Sequence, residues 1–412
     1  MNDVIKFAKW LYPGMKIKRW IFLSAFGLIM VGIGSAQFLL GRSIFDRIFG
    51  GATLAAGIFF VISGIRQMVR SLVDVVMPEH ENQLVDLVYQ RRYLEKGQKI
   101  VAIGGGTGLS VLLHGIKEHT ANITAIVTVT DDGGSSGRLR EDLDVLPPGD
   151  IRNCLVALAD SEQLLQQLFQ FRFQNGSELK GHNFGNLFIT ALSKVTGDFE
   201  KAVLESSRVL AIRGKVVPAT VNKVVLIGKH ADGSITEGET KIVEAKSPLE
   251  KLMLRPAGSR PTQSALDALA QADAIILGPG SLYTSVISNL LVADLVDAIA
   301  TSPAVKIYVC NVMTQPGETD GFKASDHIKK IHEYSRPDII NICIVNSARI
   351  PDGLLTKYKL QNAYPVEVDK ENITKLGCSA IEGQIINTQD YVRHDSGKLA
   401  RIIMDLVEKY KK

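Results

Sequence analysis

The stretch KIVAIGGGTGLS, from Lys99 to Ser110, has the pattern of a buried strand that runs through a glycine turn into a helix. Lys99–Ile103 is mostly apolar, as in a strand of a parallel sheet. Glycines let the backbone turn tightly and approach an anion, while the free N–H groups of a helix start point at negative charge. The stretch therefore predicts an α/β fold with an anion-binding turn. Leu109 replaces the third glycine of GxGxxG, so a nicotinamide or flavin cofactor is the weaker alternative.

A second stretch, VTDDGGSSGRLR from Val129 to Arg140, sets two carboxylates before paired glycines and serines. The β-branched run Ile123–Val129 predicts a strand, so Asp131 and Asp132 emerge at its carboxyl end, where open α/β sheets bind ligands. This chemistry suits a phosphate and its Mg²⁺. Successive strand residues point to opposite faces, so one aspartate can cap the turn Gly133–Ser135 while the other faces the ligand. We expect Asp132 to act through a metal or a ligand hydroxyl.

Two further motifs place polar residues at predicted helix starts. VLPPGDIRNCLVALAD, residues 145–160, offers Asp150 as a helix cap and carries Arg152 and Asn153 in the following turn, where they could hold phosphate or sugar oxygens. The motif GHNFGN then supplies His182 before an apolar helix. A structural role is favoured over a catalytic base for this histidine, because nothing in the sequence pairs it with a nucleophile.

The pattern of strand, glycine turn and helix returns in ADAIILGPGSLYTSV, residues 272–286. Two such turns at the carboxyl edge of one sheet suit a ligand with two phosphates, or with a phosphate and a sugar. Ordinary turn geometry is the alternative. KIYVCNVMTQPGETDGF, residues 306–322, then predicts a strand followed by a polar loop that could close over a ligand.

These motifs, in this order, resemble the CofD-like family and, within it, the YvcK-type gluconeogenesis factors. The resemblance runs from about Lys99 to the C-terminus, with Thr130 where the family usually carries alanine and Asn183 where it usually carries serine. It implies a Rossmann-like core that binds UDP-N-acetylglucosamine and helps to set carbon flow into cell-wall precursors. It also implies that Arg393, near the C-terminus, reaches the bound nucleotide sugar. The transferase branch of the family instead moves a phospholactyl group from a guanylylated donor onto a deazaflavin precursor.

The motifs and the resemblance together define a set of predicted ligand-contacting residues. They are Gly104, Gly105, Gly106, Thr107, Gly108, Leu109, Asp131, Asp132, Gly133, Gly134, Ser135, Gly149, Asp150, Asn153, Asn186, Gly278, Gly280, Ser281, Asn289 and Arg393, with Asp131 and Asp132 as the metal ligands.

The N-terminal region contains two charge-free apolar runs, Trp20–Gly41 of 22 residues and Ile48–Ile65 of 18 residues. Each is long enough to cross a hydrocarbon core of about 30 Å, the second only just. The short segment between them predicts a helical hairpin. Lysines and arginines precede the first run and follow the second, which places both ends in the cytoplasm by the positive-inside rule. A cleaved signal peptide and a pair of soluble core helices are weaker alternatives.

The charge of the chain is concentrated in this anchor. Residues 1–70 hold nine lysines and arginines against two aspartates, a net charge of +7, whereas the whole chain is +4, so the remainder carries −3. A cationic collar suits an anionic inner leaflet, and the acidic remainder gives no reason to expect nucleic-acid binding. The four scattered cysteines form no CxxC pair, which indicates a reducing compartment and no zinc site.

The sequence thus predicts an anchor at residues 1–71, a connecting helix at 72–98 and one Rossmann-like α/β domain at 99–412, with a mostly parallel sheet flanked by helices. Residues 216–244 interrupt the alternation of strands and helices and predict an antiparallel hairpin insertion, with its turn at Asp232 and Gly233.

Two functional hypotheses follow from these predictions. The favoured one is a protein of the inner membrane that senses a nucleotide sugar and acts on a protein partner in cell-wall or amino-sugar metabolism. The other is a Mg²⁺-dependent transferase or nucleotidyltransferase. Whether the chain forms a homo-oligomer is left open by the sequence.

Overall fold

The computed structural model describes residues 17–76, 92–160, 163–175, 178–245, 247–389 and 391–410. The chain divides into two compact units, Met1–Arg92 and Tyr93–Lys412. Most of the predicted connecting helix lies outside the described residues.

The first unit contains two antiparallel helices, α1 (Lys18–Leu40) and α2 (Ile44–Val76). By length and composition, Lys18–Leu40 and Ile44–Ser71 are each able to span a membrane. Their large apolar side chains face outward, with Phe22 71% and Leu40 80% exposed. The predicted spans are confirmed as helices, although the second is longer than its charge-free run.

Glycines at seven-residue intervals form the contact between these helices. They are Gly27, Gly34 and Gly41 in the first helix and its end, and Gly50, Gly57 and Gly64 in the second. A Cβ on Gly27 would lie 2.8 Å from the carbonyl oxygen of Gly57, and a Cβ on Gly57 would lie 2.8 Å from that of Gly27. The two backbones therefore pack directly on each other, as small residues allow in membrane helices.

The second unit alternates strands and helices through most of its length. Its strands are β1 (Ile100–Gly104), β2 (Ile123–Val127), β3 (Lys215–Pro218), β4 (Val225–His230), β5 (Ile235–Glu237), β6 (Leu249–Arg255), β7 (Ala274–Leu277), β8 (Val305–Val309), β9 (Ile342–Asn346), β10 (Ser379–Gly383), β11 (Ile386–Asn387) and β12 (Arg393–His394).

Helices connect most of these strands. The first group is α3 (Gly106–Ile116), α4 (Gly134–Leu143), α5 (Gly149–Leu158), α6 (Gln163–Gln170), α7 (Phe184–Thr196), α8 (Phe199–Val209), α9 (Glu239–Glu244) and α10 (Gln263–Ala270). The second group is a π-helix (Leu282–Ile287), α11 (Ser288–Leu290), α12 (Leu295–Thr301), α13 (Ala324–Glu333), α14 (Asp352–Lys359), α15 (Lys370–Lys375) and α16 (Ser396–Tyr410).

Seven strands form one parallel sheet in the order β10-β9-β8-β7-β1-β2-β3. Its central strands are fully buried, which explains their uninterrupted apolar sequences. The chain winds outward from β1 in one direction and from β7 in the other. The strand order therefore reverses between β1 and β7, and such a switch point is where doubly wound sheets bind ligands.

The insertion is larger than the sequence predicted. The hairpin of β4 and β5 turns at Asp232 and Gly233 as expected, but β6 pairs with β4 and completes a three-stranded antiparallel sheet. Residues 216–218, predicted to belong to the insertion, instead lie in β3, which pairs with β2 as the edge strand of the main sheet. The valines before Pro218 suit a strand of the main sheet and a strand of the insertion equally well, so the sequence did not distinguish between the two.

Candidate functional site

The two predicted glycine turns meet at the switch point of the sheet. A Cβ on Gly108 would lie 2.6 Å from the carbonyl oxygen of Pro279 and 3.0 Å from the Cα of Gly280. Gly106 and Gly278 have φ angles of +65° and +76°, which side chains rarely adopt. The glycines thus permit both a tight turn and direct contact between two loops that are about 170 residues apart in the sequence.

A cavity of about 440 Å³ opens beside these turns. The first turn contributes Gly105, Gly106, Thr107 and Gly108, and the second contributes Pro279, Gly280 and Ser281. Other segments add Glu239, Thr284, Asn311, Gln315, Tyr358, Arg393 and His394. Six segments of the domain therefore share one site, and Arg393 is the one arginine among the described residues that line it.

Two helix starts bring backbone N–H groups to this site. Helix α3 begins at Gly106, and the π-helix begins after Ser281, whose Oγ accepts from the N–H of Thr284 at 3.1 Å. Helix starts of this kind carry partial positive charge and favour anions.

The carboxyl groups around the two glycine turns have raised pKa values. Burial, and then the charge of Asp131, raises the pKa of Asp150 to about 7. Burial also raises the pKa of Glu239 and of Glu318, and the Ser281 hydroxyl donates to Glu318 at 2.5 Å. The cavity is therefore less negative at neutral pH than its sequence suggests, which suits an anionic ligand.

Asp150 does not cap its helix, contrary to the sequence prediction. Helix α5 is preceded by Pro148, and Asp150 lies within its first turn. Its carboxylate instead accepts from the backbone N–H of Gly106 and lies against Gly105. Asp150 thus holds the first glycine turn in place. It can do so only because α5 packs against α3.

Glu239 was missed by the sequence prediction because it belongs to the insertion. It is the first residue of α9, and the Thr130 hydroxyl donates to its Oε2 at 3.4 Å. His394, next to Arg393, also lines the cavity. Its Nε2 donates to the carbonyl oxygen of Cys310 at 3.3 Å, and burial lowers its pKa to about 4.

The two adjacent aspartates have different partners. Asp131 caps the turn, because its Oδ1 accepts from the N–H of Gly133 at 2.9 Å. Asp132 Oδ1 accepts from the N–H and the hydroxyl of Thr240, at 2.8 and 2.7 Å. These contacts hold Asp132 against Thr240, and its predicted action on a metal or a ligand hydroxyl stays a prediction.

The predicted magnesium site at Asp131 and Asp132 stays a prediction, and one oxygen of each carboxylate already has a partner within the protein. Asp131 Oδ1 is used within its own turn, by Gly133, whereas Asp132 Oδ1 binds Thr240 of α9. Within the described ranges, no group of three or more His, Cys, Asp or Glu side chains could hold a metal ion.

Several predicted ligand residues help to build the turns. Leu109 is fully buried in the hydrophobic core, and Gly104 is the last residue of β1. Asn289 is also fully buried, and its Nδ2 donates to the carbonyl oxygens of Gly104 at 3.1 Å and Ser285 at 2.7 Å. Asn289 thereby joins the two turns, so the structure gives its side chain a positioning role.

The remaining predicted residues form a second polar group, at the starts of α4, α5 and α7. Ser135 Oγ lies 3.3 Å from His182 Nδ1, and the N–H of Asn183 donates to the same hydroxyl at 3.1 Å. Gly149 packs against Ser136, and Asn186 Nδ2 donates to the Ser136 hydroxyl at 3.4 Å. Gly133, Gly134 and Asn153 belong to the same helix starts. None of these residues lines the cavity described above.

Some residues of the polar loop after β8 line the cavity, and others hold the loop in place. Asn311 and Gln315 line the cavity. Thr314 and Thr319 are buried and accept from the backbone N–H groups of Tyr364 and Gln315, at 2.9 and 2.8 Å.

Comparisons with known proteins find relatives of this chain that match most of its length. The family model described as 2-phospho-L-lactate transferase CofD matches residues 100–386. A protein of Clostridium acetobutylicum named putative gluconeogenesis factor is 42% identical over 417 residues, covering 98% of this chain and 92% of that protein. The gluconeogenesis factor of Bacillus subtilis is 47% identical over 311 residues, covering 75% of this chain and 98% of that protein.

A solved structure shares the fold. The crystal structure of a UPF0052 family protein from Bacillus halodurans superposes with a TM-score of 0.73 at 47% identity, covering 75% of this chain and 99% of that chain. The clostridial alignment includes the N-terminal hairpin, because it covers nearly all of this chain. Taken with the two glycine turns at the switch point, these matches show that the chain belongs to the CofD family and, within it, to the YvcK-type gluconeogenesis factors.

Proposed function

We propose that this chain is a membrane-tethered regulatory protein that binds UDP-N-acetylglucosamine and links its level to carbon flow into cell-wall precursors. One observation carries the proposal: two glycine turns and Arg393 converge on one cavity of about 440 Å³. Free helix N–H groups and a guanidinium are the groups that bind a diphosphate. Ligand occupancy would then change the surface presented to a protein partner in cell-wall or amino-sugar metabolism.

The cavity favours binding over chemistry. His394 donates to a backbone carbonyl and its pKa of about 4 leaves it neutral, so it is a poor general acid at neutral pH. Mg²⁺ is not required in this proposal, in which Asp131 caps its own turn and Asp132 binds Thr240.

A transferase of the 2-phospho-L-lactate type is the alternative, and one observation favours it. Asp150 has a pKa of about 7 beside a glycine turn, and a group poised near the working pH is suited to proton transfer. On this alternative, Asp150 would take a proton from the group that attacks the phosphate.

Thermal unfolding of the full chain in detergent tests the ligand. We expect UDP-N-acetylglucosamine to stabilise the protein more than UDP, GDP or NAD, by about 2.7 kcal/mol at 100 times its Kd. Arg393→Gln should weaken binding, whereas Arg401→Gln, on the exposed side of α16, should not. Equal or larger stabilisation by NAD would reject the proposal.

Phosphorus NMR separates a sensor from an enzyme. The protein is incubated with UDP-N-acetylglucosamine, with Mg²⁺ and then with EDTA. Binding without any new phosphorus signal supports the regulatory proposal. Turnover that disappears in Asp150→Asn supports the transferase.

We propose the topology in the membrane from the distribution of basic residues around the two apolar helices. Basic residues flank both apolar helices on the side of the chain ends, so reporters fused at Met1 and at Lys412 should both lie in the cytoplasm. Periplasmic labelling of either end would contradict the proposed topology.

A further inference from the structure

The insertion supplies one wall of the cavity through its short helix α9. Glu239 and Val243 of this helix line the cavity together with the two glycine turns. Glu239 is the one carboxyl group among the described residues in this lining. Its side chain is partly exposed, so a ligand in the cavity can reach it.

Helix α9 is fixed at both ends by the main domain. At its start, the N–H and the hydroxyl of Thr240 donate to Asp132 Oδ1 at 2.8 and 2.7 Å. At its end, the polar loop after β8 lies close, because a Cβ on Gly317 would lie 3.2 Å from the carbonyl oxygen of Val243. The Glu239 side chain therefore enters the cavity from a backbone that is held in place.

The Glu239 carboxyl group has partners on both sides of β1 in the sheet. Thr130, which follows β2, donates to its Oε2 over a long distance of 3.4 Å. Thr284, in the π-helix after β7, also forms a side-chain hydrogen bond with the carboxyl group. An ionised carboxyl group has about four acceptor sites, so these two bonds leave capacity for a ligand.

This carboxyl group suits a different part of the ligand from the phosphates. The helix starts and Arg393 supply donors to phosphate oxygens, whereas an ionised carboxyl group would repel them. Burial, and then the charge of Asp150, raises the pKa of Glu239. The group accepts a hydrogen bond when it is ionised, and it can also donate one when it is protonated. A hydroxyl group is a suitable partner in both states, because it donates and accepts.

We propose that Glu239 hydrogen-bonds a hydroxyl of the ligand's sugar and so selects the nucleotide sugar over the free nucleotide. This inference rests on the proposed function, in which the glycine turns and Arg393 hold the diphosphate. A site built to hydrogen-bond a hydroxyl discriminates against a ligand that lacks it, because the protein group then loses its partner. The insertion thereby contributes specificity to a site whose phosphate donors come from the turns and Arg393.

Calorimetry on the full chain in detergent tests this role. The dissociation constants of UDP-N-acetylglucosamine and of UDP are measured for the wild type, Glu239→Ala and Glu239→Gln. We expect Glu239→Ala to weaken binding of the nucleotide sugar about tenfold to hundredfold and binding of UDP less than about twofold. Glu239→Gln keeps an acceptor oxygen and should weaken only the nucleotide sugar, by about twofold to tenfold.

A matched variant on the same helix controls for the loss of charge. Glu244→Gln removes a carboxylate from the exposed end of α9, outside the lining of the cavity, and should leave both affinities unchanged. Thermal unfolding of each variant is measured in parallel. If Glu239→Ala does not fold, the ratio of the two affinities in Glu239→Gln decides.

The comparison of the two ligands separates the possible outcomes. Equal weakening of UDP and UDP-N-acetylglucosamine would assign Glu239 to the uridine end of the site or to the fold, and would overturn the proposal. Unchanged affinity for both ligands would also overturn it. A wild type that binds UDP-N-acetylglucosamine no more tightly than UDP would reject the proposed function itself, a result that is visible before any variant is measured.

Discussion

The N-terminal hairpin and the carboxyl edge of the sheet both rely on glycine for close backbone contact, but in different ways. In the hairpin, the contacts recur every seven residues between two neighbouring helices, and the large apolar side chains face outward. At the sheet edge there is a single close backbone contact, between Gly108 and the distant residues Pro279 and Gly280. Carboxyl groups are buried beside this contact. A regular contact is visible in the sequence, whereas a contact between distant loops is not.

Substitution at Gly108 should have the largest effect. Gly108→Ala places a methyl group against the backbone of the second turn, which cannot move aside as a side chain would. We expect the free energy of unfolding to fall by about 1–3 kcal/mol and the affinity for UDP-N-acetylglucosamine to fall about 100-fold. Gly353→Ala, in α14 with open space around it, is the control and should lower neither. Unchanged affinity in Gly108→Ala would show that the two turns need not touch.

The hairpin offers a matched pair of glycines on one helix. A Cβ on Gly34 would clash with the backbone nitrogen of Leu54, whereas a Cβ on Gly32 meets nothing within 4 Å. Gly34→Ala should destabilise the hairpin by about 1–3 kcal/mol, and Gly32→Ala should not. Trp20 lies in α1 and the other tryptophan of the chain, Trp10, precedes that helix in the sequence, so tryptophan fluorescence during unfolding in detergent reports on this part of the protein. Equal effects in the two variants would contradict the glycine contact.

The buried carboxyl of Asp150 should make the stability of the domain depend on pH. Its pKa rises from 3.8 in the unfolded chain to about 7 in the folded domain, so the folded state holds the proton more tightly. The resulting stability is present below about pH 4 and is lost as the pH rises through 7. Asp150→Asn, which keeps an acceptor for the Gly106 N–H, should be about 1–2 kcal/mol more stable than the wild type at pH 8.

Denaturant unfolding between pH 5 and pH 8 checks this expectation. The difference between Asp150→Asn and the wild type should grow across that range. Parallel profiles for the two proteins would mean that the Asp150 carboxyl titrates in the folded domain much as it does in the unfolded chain.

The smallest effect is expected at Asp132. Asp132→Asn should lower the free energy of unfolding by about 0.5–1.5 kcal/mol and leave nucleotide-sugar affinity unchanged, because its carboxylate binds Thr240. Thr240→Ala should have a similar effect, and the double variant should lose less than the sum of the two. Loss of ligand affinity or of Mg²⁺ dependence in Asp132→Asn would instead support the role that the sequence predicted.

The sequence predicted the order of the main elements because they are local. A buried strand, a glycine turn and a helix start follow one another in Lys99–Ser110 and again in 272–286, and both became the turns of the site. The two apolar runs near the N-terminus became helices for the same reason. Their length and lack of charge are properties of the chain alone.

Only the tertiary structure decided which residues surround the turns. Glu239 comes from the insertion, Asp150 changed from an expected cap into a support for Gly106, and Asp132 was taken up by Thr240. These contacts join segments that are 44 to 109 residues apart, so no local pattern encodes them. Propensity and periodicity act along the chain, whereas the burial of a carboxyl group depends on which distant elements pack against it.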